Sequence, residues 1–377
     1  MATVVDPRAH AHTEVASQWR LMWWSFRRHR LAMIGLTIVI LLYLIALFAE
    51  FFAPFDPQAA RARDVYHPPQ RIHFVDTAED GSWRLNPWVQ DYKLERDKFT
   101  LQQTYVPLEG ERIRLDFLGS GEPYTLWGLF ALETRLLVPE EQGRRFYLFG
   151  ADRLGRDMLS RTLHGTRISM SIGLVGVLVS LLLGLTLGGI SGYYGGTVDM
   201  VIQRIIEFVL SLPTIPIWLG LAAALPADWT ALQRYFAITL ILSLIGWTEL
   251  ARVVRGRFLA LRTEDFVTAA TLDGCSEKRL IFRHMLPSMA SHIIASVTLA
   301  IPLMILAETS LSFLGLGLQQ PIISWGVLLK EAQNIRSIAQ APWLFIPGVF
   351  VVVAVLALNF LGDGLRDAAD PYAQSGR

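Results

Sequence analysis

The residues that could do chemistry in this 377-residue chain are few and scattered. Ser180, Ser211 and Ser243 fall in long apolar runs. A membrane-embedded enzyme would need a base or metal ligands converging on such a nucleophile, and no such set is legible. His10 and His12 sit in a polar N-terminal tail and are too few to hold a metal. Cys275 is the single cysteine, which excludes an internal disulfide and a cysteine-based metal cluster. No G-x-x-x-x-G-K-[ST] loop occurs, so there is no phosphate cradle for ATP. The stretch "LGRDMLSR" (Leu154 to Arg161) has glycine and arginines without that loop. It reads as an amphipathic helix with its arginines among lipid headgroups. Catalytic, cofactor-binding and metal-ligating residues are therefore none.

What remains is binding and movement. Glu308 lies inside an apolar run, where an ionisable group faces a cavity or a polar partner. Two roles are open: a wall of a solute pathway or a polar lock near an outer gate. The structural alternative is a carboxylate bonded to backbone within "ETSLS". Pro213 and Pro216 interrupt another apolar run and Pro302 the one that holds Glu308, and each can kink a helix, shaping a pathway or only the packing. The most unusual piece is "FVTAATLDGCSEKRLIFRHMLP", Phe266 to Pro287, charged and broken by glycine amid oily sequence. Thr263 can cap a helix with Glu264 and Asp265 in its first turn. Gly274 is a left-handed stop, Ser276 can cap a second helix, and Pro287 is expected to end it. Ala269 and Ala270 keep one face low, so another surface can approach.

These pieces need elements to hold them. The chain is 52% hydrophobic and 18% charged, with a net charge of +1, which gives no general attraction to nucleic acid. Apolar residues concentrate in six blocks: Leu31–Phe52, Ile168–Ile190, Met200–Leu225, Tyr235–Val254, Ser291–Leu314 and Trp343–Leu361. Each approaches the ~20 residues that cross a bilayer. The first is too long for a signal-peptide core and is read as a retained anchor, with Trp19, Trp23 and Trp24 in the interfacial belt. Arginine and lysine flank span one (Arg20, Arg27, Arg28, Arg30) and the loop between spans four and five. They recur after span six, at Arg366. With six spans these regions share one side, the cytoplasmic one. Gly184 and Gly188 form a G-x-x-x-G pair in span two, expected to serve internal packing rather than a partner seam.

The segment between spans one and two, 53–166, is expected to be a small β-rich outer domain. Its strand-like stretches are "FTLQQTYVPL", "RIRLDFL" and "RFYLF", separated by glycines and prolines. Its aromatics, Trp83, Trp88, Tyr92, Phe99, Tyr105 and Trp127, favour an ordered core.

The stretch from Thr268 to Pro287 resembles the cytoplasmic "EAA" signature of bacterial ABC importer permeases: Glu-Ala-Ala, three residues, Gly, nine residues, Ile-x-Leu-Pro. Here it reads Thr268-Ala269-Ala270, "TLD", Gly274, "CSEKRLIFR", His284-Met285-Leu286-Pro287. Thr268 replaces the glutamate and His284 the isoleucine. Four further stretches are similar to the C-type permease subunit of dipeptide/oligopeptide, binding-protein-dependent importers. They are "GADRLGRDMLSRTLHGTRIS", "GYYGGTVD", "AETSLSFLGLGLQQPIISWG" and "GDGLRDAADP". The resemblance implies an all-α polytopic membrane protein of six transmembrane helices with a periplasmic insertion. It would be half of a pathway for peptides in the bacterial inner membrane, with both termini cytoplasmic. It also implies a homologous second permease, two ATPase subunits that use ATP and Mg, and a periplasmic solute-binding protein, with no cofactor on this chain. The expected ATPase-docking residues are Thr268, Ala269, Ala270, Leu272, Asp273, Gly274, Ser276, Arg283, His284, Leu286 and Pro287. Glu308, Pro213 and Pro216 are candidates for the pathway. The expected layout is a tail and interfacial segment 1–30, span 31–52, insertion 53–166, core 167–366 with coupling loop 255–290, and tail 367–377. The insertion is longer than the family's usual loop, so an oligosaccharide or opine is the leading alternative solute. An ion-coupled secondary transporter is the more distant alternative, and no clear internal repeat supports it.

Overall fold

The computed structural model describes residues 18–77, 83–96, 103–226 and 228–369. His10, His12, Gly81, Phe99 and Pro371 lie outside the described residues, as does most of each terminal tail.

Helix α1 (Gln18–Arg28) stops at His29, and α2 (Arg30–Leu47) begins there. The His29 ring accepts from the Ala32 amide at 3.1 Å, capping the new helix. The first span is shorter than the sequence suggests. Phe48 leaves helical geometry, and a separate turn, Ala49–Phe52, follows. The reason is competition for carbonyls. Arg167 donates to Ala46 and Leu47 oxygens at 2.7 and 3.1 Å, and Arg135 donates to those of Glu50 and Ala53 at 3.0 and 2.6 Å.

Six strands then occupy the segment before the second long helix: β1 (His73–Thr77), β2 (Trp83–Arg96), β3 (Gln103–Phe117), β4 (Ser120–Leu126), β5 (Phe130–Thr134) and β6 (Leu137–Pro139). They form a four-stranded sheet in the order β1-β2-β3-β6 and a separate β4-β5 hairpin. Pro107 and Gly110 do not divide two strands as expected. Both lie within β3, where a bulge opposite Gln90–Tyr92 absorbs the extra residues. The Gln90 amide donates to the carbonyls of Leu108 and Glu111, so the bulged backbone stays satisfied. "RFYLF" is not a strand. It runs irregularly through the core, where Phe146 packs on Phe55 and the Tyr147 amide donates to the Gln70 side chain at 2.6 Å.

The membrane part contains α3 (Met158–Tyr194), α4 (Gly196–Ser211), α5 (Thr214–Ala223), α6 (Ala231–Leu261), α7 (Asp265–Leu272), α8 (Ala290–Phe313), α9 (Trp325–Glu331) and α10 (Ile346–Ala369). Among the described residues, five helical segments are long and apolar enough to cross a bilayer. The count reaches six if the bent pair α4–α5 is one span. Instead of one rod over Met200–Leu225, this pair turns through 85°. Leu212 precedes Pro213 and is forced to extended geometry, with ψ 139°, and Pro213 follows at ψ 117°. Two extended residues in succession end the helix. Pro216 falls in the first turn of α5, where a missing amide costs nothing.

The core is built on close approach of α3 to its neighbours. A methyl group on Gly176 would meet Met304 of α8 at 3.0 Å, and one on Gly184 would meet Leu250 of α6 at 3.0 Å. One on Gly192 would meet the Phe258 Cβ at 2.6 Å and the Arg255 carbonyl at 2.7 Å. The glycines of α3 therefore serve contacts inside this chain, with Val177, Ile238, Leu242 and Ile305 filling the buried space between. Gly192→Leu is expected to destabilise the purified protein by about 1–3 kcal/mol through overpacking. Gly220→Leu, at a position with open space around it, should leave the thermal midpoint unchanged. Equal midpoints for the two variants would contradict this packing.

Candidate functional site

Two places collect the polar and conformationally special residues, one at each end of α3. At 37 residues that helix is about 55 Å long. Its last residues reach the glycine-broken stretch, and its first meet Phe55 and Pro57 in the segment that leads to the sheets.

The glycine-broken stretch is an elbow. Helix α7 starts one residue later than its sequence suggests. Glu264 holds the N-cap position with no side-chain cap, and Thr263 instead donates to the Ala260 carbonyl at 2.9 Å. Gly274 turns the chain at φ +72°, a conformation that favours glycine. Ser276 has the extended geometry of an N-cap without a side-chain bond. Beyond it the chain is helical through Glu277–Arg279, a π-helical turn Leu280–Met285, and Leu286–Ser288. Pro287 does not end this run. The Leu286 amide reaches back five residues to the Ile281 carbonyl, and this wider turn relieves the clash a proline ring makes with the preceding α-helical turn.

Val267, Leu280, Met285 and Met289 anchor the elbow against Val254 and Phe258 of α6, with Leu185 and Tyr193 of α3 behind them. The Tyr194 hydroxyl donates to Glu277 at 3.0 Å. The opposite face is open. Thr268, Ala269, Asp273, Gly274, Ser276, Arg283 and Pro287 are exposed, and Leu272 is 83% exposed. Ala270, His284 and Leu286 are half-buried at the edge. The Thr268 hydroxyl is turned inward, donating to the Glu264 carbonyl at 3.2 Å. A groove of about 420 Å³ runs between Tyr193, Arg262, Thr268 and Leu272.

One clamp above the elbow was not foreseen. Asp199 of α4 receives two bonds from Arg255 of α6, at 2.5 and 2.6 Å, and one from Ser191 of α3 at 2.5 Å. It ties three helices at one level. Asp199 stood in plain view in "GYYGGTVD", but only the fold shows which arginine faces it.

At the other end, Glu308 is fully buried in a ring of hydroxyls. Ser312 and Ser324 donate to one carboxylate oxygen at 2.8 and 2.7 Å, and Ser169 to the other at 3.2 Å. Each serine also accepts a backbone amide, from Leu318, Val327 and Trp325 respectively. Glu308 is thus bonded to side chains rather than to backbone. Ser312, one turn ahead, was legible in the sequence; Ser169 and Ser324 come from distant elements. Pro213 and Pro216 are exposed on the bent pair and are not part of this ring.

Beside it, the arginines of "LGRDMLSR" are buried rather than placed among headgroups. Gly150 and Gly155, both at positive φ, fold the loop back so that Asp152 pairs with Arg156 at 2.6 Å and Arg161 at 3.5 Å. Asp157 caps α3 by accepting the Ser160 amide at 2.8 Å. Burial pushes its carboxyl up to about 6, against the pull of the bonds from Ser160. Among the described residues, no group of three His, Cys, Asp or Glu side chains is placed to hold a metal.

Glu308→Ala should strand three buried hydroxyls. It is expected to cost more stability than Ser169→Ala, with each unmatched polar group worth about 1–3 kcal/mol. Thermal unfolding of the two variants checks this, and a smaller loss for Glu308→Ala would refute the ring.

Residues 184–374 match the family described as binding-protein-dependent transport system inner membrane component. Residues 17–69 match the N-terminal TM domain of oligopeptide transport permease C. The oligopeptide transport system permease protein OppC of Bacillus subtilis is 29% identical over 94% of this chain and 90% of its own length. The protein of the same name from Haemophilus influenzae is 39% identical over 60% of this chain and 70% of its own. The dipeptide transport system permease protein DppC of Bacillus subtilis is 39% identical over 59% and 68%. Among solved structures, the inward-facing MetNI methionine ABC transporter aligns with 56% of this chain and 98% of its own, at 16% identity and a TM-score of 0.45.

Proposed function

The chain belongs to the binding-protein-dependent transport system inner membrane component family, and from that premise we propose that it forms half of a peptide pathway across the bacterial inner membrane. It is a permease subunit of an ATP-driven importer, with hydrolysis performed by separate ATPases. The bent pair α4–α5 counts as one of six spans. The sheets lie on the periplasmic side and the elbow with both termini on the cytoplasmic side. The basic residues around α1, the elbow and the end of α10 support that orientation.

The observation that carries the reading is the open face of the elbow. It presents a protruding Leu272 beside a left-handed Gly274, on a base sewn into α3 and α6. One ATPase docks on the face from Thr268 to Pro287, and its closure moves the elbow with both helices. Thr268 faces its own helix, so this position offers no carboxylate to pair a basic ATPase residue, and the contact centres on the exposed Leu272. A second, homologous permease completes the pathway, a second ATPase serves that subunit, and ATP and Mg belong to the ATPases. A periplasmic binding protein delivers the solute to the sheet end. Glu308, enclosed by hydroxyls, acts as a lock that holds α9 to the outer ends of α3 and α8 rather than as an open pathway wall.

Leu272→Asp changes an exposed side chain, so the fold should persist. Its removal from an apolar pocket should weaken ATPase association about tenfold or more, a typical hot-spot loss. Unchanged co-purification of the ATPases would refute elbow docking. For the solute, the reconstituted complex with its binding protein should hydrolyse ATP faster when di- to oligopeptides are added. Stimulation by oligosaccharides or opines alone would overturn the peptide assignment.

A further inference from the structure

The β4–β5 hairpin ends in a feature that the importer reading does not use. From Pro123 to Leu132 its sequence, "PYTLWGLFAL", contains no charged residue. Its tip is apolar and uncovered: Leu129 is 75% exposed and Phe130 56%, with Trp127 and Leu132 also exposed. A soluble domain would not hold such a cluster in water without a partner.

The position of the tip identifies that partner. The Trp127 indole donates to the Leu47 carbonyl at 2.7 Å, and its ring lies 5.9 Å from that of Phe48. Leu47 is the last residue of the apolar span α2, whose carbonyls there have no helical donor. Leu41, Leu44 and Leu47 on the same helix are exposed, so the tip continues the apolar surface of the span itself. Trp127 also holds a left-handed φ of +53°, followed by Gly128 at +71°. A tryptophan is an unfavourable choice in that conformation. What it provides is a ring at the end of the span with its N–H turned to a backbone carbonyl, the habit of tryptophan at membrane interfaces. Arg135 fixes the base of the hairpin to the same segment through the carbonyls of Glu50 and Ala53.

We propose that the β4–β5 hairpin tip, Trp127 to Phe130, is a membrane anchor that inserts into the outer interface of the bilayer beside α2. It pins the sheet domain to the lipid surface at a second point, besides the chain connections to α2 and α3. The inference goes beyond the importer reading, because it needs only that α2 spans a bilayer.

Spin-label accessibility tests it. The full importer complex is placed in lipid nanodiscs with Cys275→Ser, and a nitroxide is attached at Leu129→Cys. A second sample carries it at Glu109→Cys, an exposed site on β3. Collision with oxygen, which enters lipid, and with a water-soluble nickel chelate is then measured. The expected result at Leu129 is high oxygen contact with nickel contact several-fold below that at Glu109. Nickel contact equal to that at Glu109 would put the tip in water and overturn the proposal. Low contact with both reagents, or protection only after the binding protein is added, would assign the tip to a protein and overturn it equally.

Discussion

Where a helix stops at the edge of hydrocarbon, its last carbonyls and first amides need partners that lipid cannot supply, and most of this architecture follows from how they are found. The end of α2 shows the rule clearly. Arg167 of α3, Arg135 between β5 and β6, and Trp127 at the β4–β5 turn each donate to a carbonyl from Ala46 to Ala53. The helix can therefore stop there, and the sheet domain gains fixed points on the span. At the far end of α8 the same demand is met by hydroxyls. Ser312 and Ser324 accept the amides of Leu318 and Val327 while donating to Glu308. One buried carboxylate collects three such hydroxyls, and the chain after α8 turns back as α9 around it. Burying a carboxylate is costly, and breaking the network would cost more than the network contributes as a unit.

The elbow obeys the same demand with different chemistry. Its polar turns lie beyond the end of the bundle, so water can serve its open face, while Val267, Leu280, Met285 and Met289 point back toward α6 and Leu272 stays exposed. The π-helical turn is the part that a simple helix could not provide. It carries the chain through Pro287 without a break, so the elbow enters α8 through a nearly continuous helical path. A force on the elbow therefore meets α6 at one side and α8 at the other.

Five of the six apolar runs were legible as single helices long enough to cross a bilayer, because apolar runs of about 20 residues have few other uses. Gly274 was legible for the same kind of reason: a glycine between two helical patterns has one common role, and φ +72° is that role. Other features depend on contacts far along the chain. "LGRDMLSR" has the periodicity of an interfacial helix. Only the turns at Gly150 and Gly155 reveal that Asp152 folds back to claim both arginines. The ring around Glu308 draws on residues 139 positions before it and 16 after. Pro213 announced a bend but not its 85°, because the extended geometry of Leu212 adds to that of the proline. Pro107 and Gly110 misled in the other direction, since Gln90 from the neighbouring strand supplies the donors that let the bulge persist.

The two ends of the chain's membrane part share one rigid member. Tyr193 and Tyr194, at the elbow end of α3, touch Arg262 and Glu277. Ser169, near its other end, touches Glu308 and Trp325. Between them, glycines let α6 and α8 lie against α3 too closely for either to slide far without collision. In the importer we propose, a pull on the elbow cannot be absorbed by bending within this bundle and must appear as movement of the whole of it. The bent pair α4–α5 is the exception. Apart from the clamp at Asp199 its surface is largely open, and the extended residues Leu212 and Pro213 form a joint in the middle. The bundle supplies the lever, and the joint at Pro213 is where its movement can be taken up.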